Sequence, residues 1–397
     1  LKDEMKQQFR NYLIIALFGV AACVGFYLFQ PQNQFAVNPK ADANEYLKIY
    51  EFFQGSAEWE NVRFAIHNRL VIPFLASLLP WQSPSFNFFV INSLLAILSL
   101  LALYYLLEYF HTKRAYSFLI LVFFSLHYVG PFRQNAIGPI NVDMAVYLFE
   151  ILFLLFLLKR KYLLLILIAP VAIATKELFL ALIIAILVLA LAMRFIFNDK
   201  SISLPALVTT LLIGIFTKLL LSHYFESASP GRNSVLVMAF HIREMIFHPD
   251  HLWRWILSLF AAMGGYLFLV IKRYRRVEIK KDPVLIVHVL SLSVLALSIV
   301  GGMDYTRLIF LGFPYLILSV LLTRPNRTEF LIAWVMSMPL TRFWVVMPII
   351  SLDMTQYNLW MPESADTRHL VVWTIVMILC LAIFLYLMKY LTRRAQS

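Results

Sequence analysis

The chain has 397 residues, of which 61% are hydrophobic and 14% charged, against about a quarter charged in an ordinary soluble domain. A water-soluble globule of this length has too much surface to hide such an apolar excess, which excludes a cytosolic enzyme, a nucleic-acid-binding module and a disordered chain. What remains is a polytopic membrane protein, so the formal net charge of +12 is informative through its distribution along the chain.

A helix of about 20 apolar residues crosses a bilayer, and such runs recur from end to end. They predict an all-α membrane protein, a single transmembrane domain over 1–397 with about 12 transmembrane helices. The runs lie near 12–29, 89–109, 115–130, 142–158, 162–175, 178–195, 202–222, 253–271, 283–300, 306–323, 329–349 and 369–388. The first is too long for the apolar core of a leader and lacks a small-residue cleavage site, so it is expected to stay as an anchor. The runs 162–175 and 178–195 are short and almost touch at Thr175-Lys176-Glu177. Pro339 and Arg342 interrupt the eleventh, which predicts a broken or protein-shielded helix. Cys23 and Cys380 both sit inside apolar runs and read as small buried hydrophobes. Two cysteines exclude a disulfide framework and a four-cysteine zinc site.

Basic residues fix the expected sidedness. With both termini cytoplasmic, the clusters at Lys2/Lys6/Arg10, Lys113/Arg114, Lys159/Arg160/Lys161, Arg194/Lys200, Lys272–Lys281, Arg324/Arg327 and Lys389/Arg393/Arg394 all fall on the inner side, as the positive-inside rule requires of short loops. Asn326-Arg-Thr328 matches a glycosylation acceptor, but this topology puts it in the cytoplasm, where it is silent.

The first outer loop, residues 30–88, is far longer than its neighbours, and connections of that length are usually functional. Within it Tyr46, Ile49, Tyr50 and Phe53 recur at the spacing of one helix face. That pattern, with Asp42 near its start, predicts an amphipathic helix lying along the outer interface. A second apolar stretch, Phe64–Leu79, is broken by His67, Asn68, Arg69 and Pro73 and reads as interfacial or re-entrant. The bland alternative is that this loop only packs against helix ends.

Three further outer segments concentrate charge at membrane depth, where ionisable side chains are costly and usually face a cavity or each other. They hold Arg133, Asn135 and Asp143; then Lys176 and Glu177; then Asp304 and Arg307. Local ion pairing of Lys176 with Glu177 and of Asp304 with Arg307 is the competing explanation. Glu150 lies mid-span, and Lys218 lies where it can snorkel outward. The second large outer loop, 223–252, carries His223, His241, His248 and His251, Arg232 and Arg243. These histidines lack the spacing of a zinc site, and no H-E-x-x-H occurs, so no metal site is expected. A phosphate-binding P-loop, a dinucleotide fingerprint and a nucleophile elbow are all absent from the sequence.

The order of these features resembles the GT-C superfamily of integral-membrane glycosyltransferases, which use polyprenyl- or dolichyl-phosphate-linked sugars. The features are one span, an outer loop opening with Asp42-x-x-Glu45-Tyr46, then Arg69-x3-Pro73, Lys176-Glu177, Asp304-x2-Arg307 and Phe313-Pro314. The resemblance covers the first six spans best and the ninth and tenth in part. It implies two interfacial helices over a membrane cavity, with Asp42 as catalytic base and Glu45 in reserve. This loop lacks a D-x-D sequence and no soluble domain follows, so neither a divalent metal nor a large protein acceptor is expected.

Elementary chemistry runs alongside. Transfer from a lipid phosphate needs a carboxylate to take the acceptor's proton and cations to stabilise the departing phosphate, a task suited to the arginine fork. Arg307, Lys176, Arg69 and Arg133 are the outer cations for that role; Glu177, Asp304 and Asp143 would orient them or the sugar. The expected protein is an inverting glycosyltransferase of the cell envelope. It would sit in a bacterial inner membrane, with its site facing the periplasm or exterior, and need no cofactor beyond its lipid-phosphate-linked sugar. Its partners would be membrane lipids and a glycan, lipid or protein acceptor, with no nucleic acid.

Two rivals share the topology. A secondary transporter or flippase of a lipid-linked or sugar substrate usually relies on glycine-broken helices, for which only 12 glycines are present. A polysaccharide polymerase or ligase would use Arg232 and Arg243 of the second outer loop.

Overall fold

The computed structural model describes every residue except 1, 33–41, 60, 61, 65, 197, 228–233, 274–281, 348–359 and 395–397. Arg232, Arg275, Arg276, Lys280 and Lys281 therefore lie outside the described residues, as do residues 33–41 of the first outer loop. The described residues form helices and no strands; one isolated bridge joins Val62 to Ser227.

Among the described residues, seven helices are long and apolar enough to cross a membrane, or nine when each of two bent pairs counts as one span. Three more of the expected runs fold into helices of 16, 14 and 15 residues: Asp143–Leu158, Tyr162–Thr175 and Arg327–Thr341. At 1.5 Å per residue none of these reaches across about 30 Å of hydrocarbon by itself. The protein is thus a multi-pass helical membrane protein. The described chain divides into two compact units, Leu1–Leu106 with Pro131–Leu236, and Leu107–Gly130 with Val237–Ser397.

The first unit contains α1 (Lys2–Phe29), α2 (Asp42–Phe53), α3 (Val71–Ser77), most of α4 (Pro84–Tyr109), α6 (Pro131–Ile137), α7 (Asp143–Leu158), α8 (Tyr162–Thr175), α9 (Leu178–Ile196) and α10 (Leu204–Tyr224). Helices α1 and α4 run antiparallel, with Tyr12 against Tyr104 (ring centroids 5.3 Å apart) near one end and Tyr27 against Phe89 (4.3 Å) near the other. At the end carrying Lys159, Arg160 and Lys161, the Ser203 backbone N–H donates to the Tyr162 hydroxyl (3.0 Å) and the Lys159 ammonium to the Tyr105 hydroxyl.

The opposite end of this unit carries α2 and α3. Asp42 and Glu45 occupy the first turn of α2, where carboxylates favour the helix dipole. Ala43, Tyr46, Ile49 and Tyr50 are buried, packed with Ile66, Ile72, Ala76 and Phe88. The predicted amphipathic helix is present, with the expected stripe inward. The segment before α3 is stapled to two helix ends. Trp59 Nε1 donates to the Glu226 carbonyl (3.1 Å), Asn68 Nδ2 to Ser222 Oγ (3.1 Å) and the Leu70 N–H to the Ala174 carbonyl (2.8 Å).

The second unit contains α5 (Arg114–Leu126), most of α11 (Ser234–Phe247), α12 (Pro249–Met263), α13 (Gly265–Arg273), α14 (Asp282–Val300), α15 (Tyr305–Leu311), α16 (Phe313–Leu322), α17 (Arg327–Thr341) and α18 (Thr367–Arg394). The runs read as single spans at 253–271 and 306–323 are bent, by 103° between α12 and α13 and by 65° between α15 and α16. Glycine makes the first bend possible. Gly264 has φ +56, and a Cβ there would come within 2.8 Å of Ser337, a combination open only to glycine. At the second bend Gly312 keeps an ordinary φ of −78, and a Cβ there would crowd the Val294 side chain.

Helix α11 was expected as part of a loop; it presents Val235, Leu236, Ile246 and Phe247 as exposed apolar side chains. Asn326 starts α17 through a reciprocal capping box with Glu329, and Lys272 (3.1 Å) and Arg273 anchor on the same carboxylate. As the interrupted sequence run predicts, α17 stops at Thr341. Arg342 follows with φ 48, its guanidinium over the rings of Trp360 (4.7 Å), Trp373 (4.8 Å) and Tyr128 (5.4 Å).

Candidate functional site

The ionisable residues of the first unit converge at the end that carries α2 and α3. Asp42, from the first turn of α2, has a side chain 51% exposed and ion-pairs with Arg63. Glu45, one turn on and 14% exposed, accepts the Arg63 backbone N–H at 2.8 Å. The two carboxylates therefore have different work. Glu45 tethers the segment after α2, while Asp42 faces outward on a partner that can let go. Arg63 had no motif to mark it in the sequence.

Arg69 lies deeper. One terminal nitrogen donates to the Tyr46 hydroxyl (3.1 Å) and the other is 3.7 Å from the Glu177 carboxylate. Burial opposes its charge, but Tyr46 and Glu177 outweigh that and hold the guanidinium above its ordinary value. Burial likewise pushes the Tyr46 phenol up to about 12; Arg69 opposes this, and Asp42 and Asp143 add to it.

Lys176 and Glu177, adjacent in sequence, do not pair with each other. The extended backbone at Lys176, between α8 and α9, sends them to different partners. Lys176 Nζ reaches Asp143 at 2.8 Å, with side chains 13% and 11% exposed, while Glu177 meets Arg69. Glu150 is fully buried on α7, two turns beyond Asp143, and feels the charge of Lys176. One neighbourhood thus gathers Asp42, Glu45, Arg69, Asp143, Lys176 and Glu177 from three of the sequence segments.

The remaining candidates have other partners. Arg133, on α6, is 1% exposed, and its guanidinium donates to Gln30 Oε1 (3.2 and 3.3 Å) and covers the Phe26 ring. Asp304 and Arg307 belong to the second unit and form a local ion pair of 2.9 Å at i, i+3. No group of three or more His, Cys, Asp or Glu side chains arranged to hold a metal ion occurs among the described residues.

The second unit holds a carboxyl group that the sequence reading did not single out. Glu363 accepts from the Thr306 hydroxyl (2.6 Å), the Thr306 N–H (3.1 Å) and the Ser258 hydroxyl (3.0 Å). Arg254 fastens its turn by donating to the carbonyls of Glu363 (3.0 Å) and Ala365 (2.6 Å). Burial, with Asp304 adding to it, pushes Glu363 up to about 7 from an ordinary 4.5. A carboxyl raised by folding favours the native state at low pH and loses that advantage as pH rises from 4.5 through 7. Glu363→Gln should therefore gain stability over the native protein progressively across that window, by up to about 3 kcal/mol. Melting temperatures of both proteins from pH 4 to 8 check this; parallel profiles would contradict it.

Comparison with models of protein families, with curated proteins and with solved structures found no match.

Proposed function

We propose that this protein is an integral-membrane glycosyltransferase, moving a sugar from a polyprenyl-phosphate-linked donor to an acceptor hydroxyl with inversion. The observation that carries this reading is the partly exposed Asp42 carboxylate at the start of an amphipathic helix, grouped with Arg63, Arg69 and Lys176. Asp42 takes the acceptor proton as the new bond forms. Arg69 and Lys176 stabilise the phosphate as the sugar leaves, with Glu177 and Asp143 orienting these two cations. In this reading the twelve expected spans put both termini in the cytoplasm and the site on the outer face of a bacterial inner membrane. No divalent metal takes part.

One observation favours a second reading, a transporter of a lipid-linked or sugar substrate. The second unit has two helices broken at Gly264 and Gly312, the kind of interruption on which transporters build midplane sites. One experiment separates the two. Purified protein in proteoliposomes is given a radiolabelled polyprenyl-phosphate sugar and a mixture of envelope glycolipid acceptors. New glycosidic product with release of the polyprenyl phosphate supports the transferase. Counterflow of the labelled donor without product would replace it with the transporter.

A further inference from the structure

Arg69 and His67 flank Asn68, which is fixed to α10 through Ser222. The two outer nitrogens of Arg69 are engaged by Tyr46 and Glu177, yet its Nε is buried and has no protein partner. His67 is 4% exposed, and its Nδ1 is likewise buried without a partner. Buried polar atoms left unsatisfied cost free energy, and two of them two residues apart point to a ligand that satisfies both. His67 stands in the field of Glu177, Lys218 and Arg69, and its own burial is the main force keeping the imidazole neutral.

Lys218 decides the ligand class. It sits within α10, one to two turns before the helix ends at Tyr224. Its neighbours Ile215, Phe216 and Leu219 are exposed apolar side chains of the kind that meet lipid tails in a membrane-crossing helix. A cation snorkelling from such a face suits an anionic head group with an apolar tail.

We infer that His67, Arg69 and Lys218 form the seat of a lipid-borne phosphate, with the Arg69 Nε–H and His67 Nδ1 meeting its head-group oxygens and the tail lying along α10. This deepens the transferase reading and rests on its lipid-phosphate donor. Neither His67 nor Lys218 carried a binding role in the sequence.

The test measures binding of farnesyl phosphate to the full chain in detergent, with farnesol and inorganic phosphate as competitors. Lys218→Met, Arg69→Lys and His67→Phe should each weaken farnesyl phosphate about tenfold, the loss expected for one charge-assisted contact, and leave farnesol unchanged. Lys218→Met, on a half-exposed face, keeps the comparison valid should the buried His67 variant misfold. Farnesyl phosphate binding unchanged in the Lys218 and Arg69 variants overturns the seat. Inorganic phosphate competing as strongly as farnesyl phosphate overturns its lipid character. If the native protein binds farnesyl phosphate and only Lys176→Met loses it, this inference fails while the donor reading stands. If the native protein binds none, both fail.

Discussion

Asp42→Asn is expected to lower sugar transfer by about 10²–10⁴-fold, the range measured when a positioned general base is lost. The same change should barely alter the melting temperature. The side chain is half exposed and its bond to Arg63 is a surface ion pair, worth under about 1 kcal/mol. Glu45→Gln makes the informative contrast. Its carbonyl oxygen can still accept the Arg63 backbone N–H now bound at 2.8 Å, so transfer should survive. Turnover is measured as release of polyprenyl phosphate. Wild-type turnover by Asp42→Asn, or equal losses in both variants, would remove Asp42 from the base position.

The largest effect on stability is expected from Lys176→Met. It leaves the nearly buried Asp143 carboxylate without the ammonium that now lies at 2.8 Å. Breaking one side of such a pair costs about 3–5 kcal/mol, most of it the penalty of a stranded charge. Adding Asp143→Asn should recover much of that loss, because the double variant strands nothing. Thermal unfolding of the two single variants and the double variant gives the coupling directly. A single Lys176→Met variant as stable as the native protein would mean that water reaches Asp143 and that the pair is a surface one.

How much of this was legible in the sequence depends on the range of the interactions involved. The apolar helices were legible because hydropathy is a local property, and α2 because its apolar face repeats at helical spacing; how many of those helices cross a membrane was not. Neither were the bends at Gly264 and Gly312. The first goes with the close approach of Ser337 to Gly264, which is set by tertiary packing. The clustering of Asp42, Arg69, Asp143, Lys176 and Glu177 accords with the common side expected from the basic loops, but their pairing was not legible. Local pairing of Lys176 with Glu177 was the competing explanation, whereas the extended backbone between α8 and α9 turns them toward Asp143 and Arg69. For Asp304 and Arg307 the local pair is what forms, because they sit one turn apart at the start of α15. Arg63, His67 and Glu363 carried no motif. Each gains its meaning from a partner distant in sequence or from burial, which residue spacing cannot show.

The most direct test of the central claim is photo-crosslinking with a polyprenyl-phosphate sugar that carries a diazirine close to its phosphate. Adducts should map to peptides from the start of α2, from residues 67–77 and from the α8–α9 junction, and an excess of unlabelled donor should suppress them. Adducts confined to helices of the second unit, or no more labelling than a diazirine-bearing prenyl alcohol gives, would contradict it.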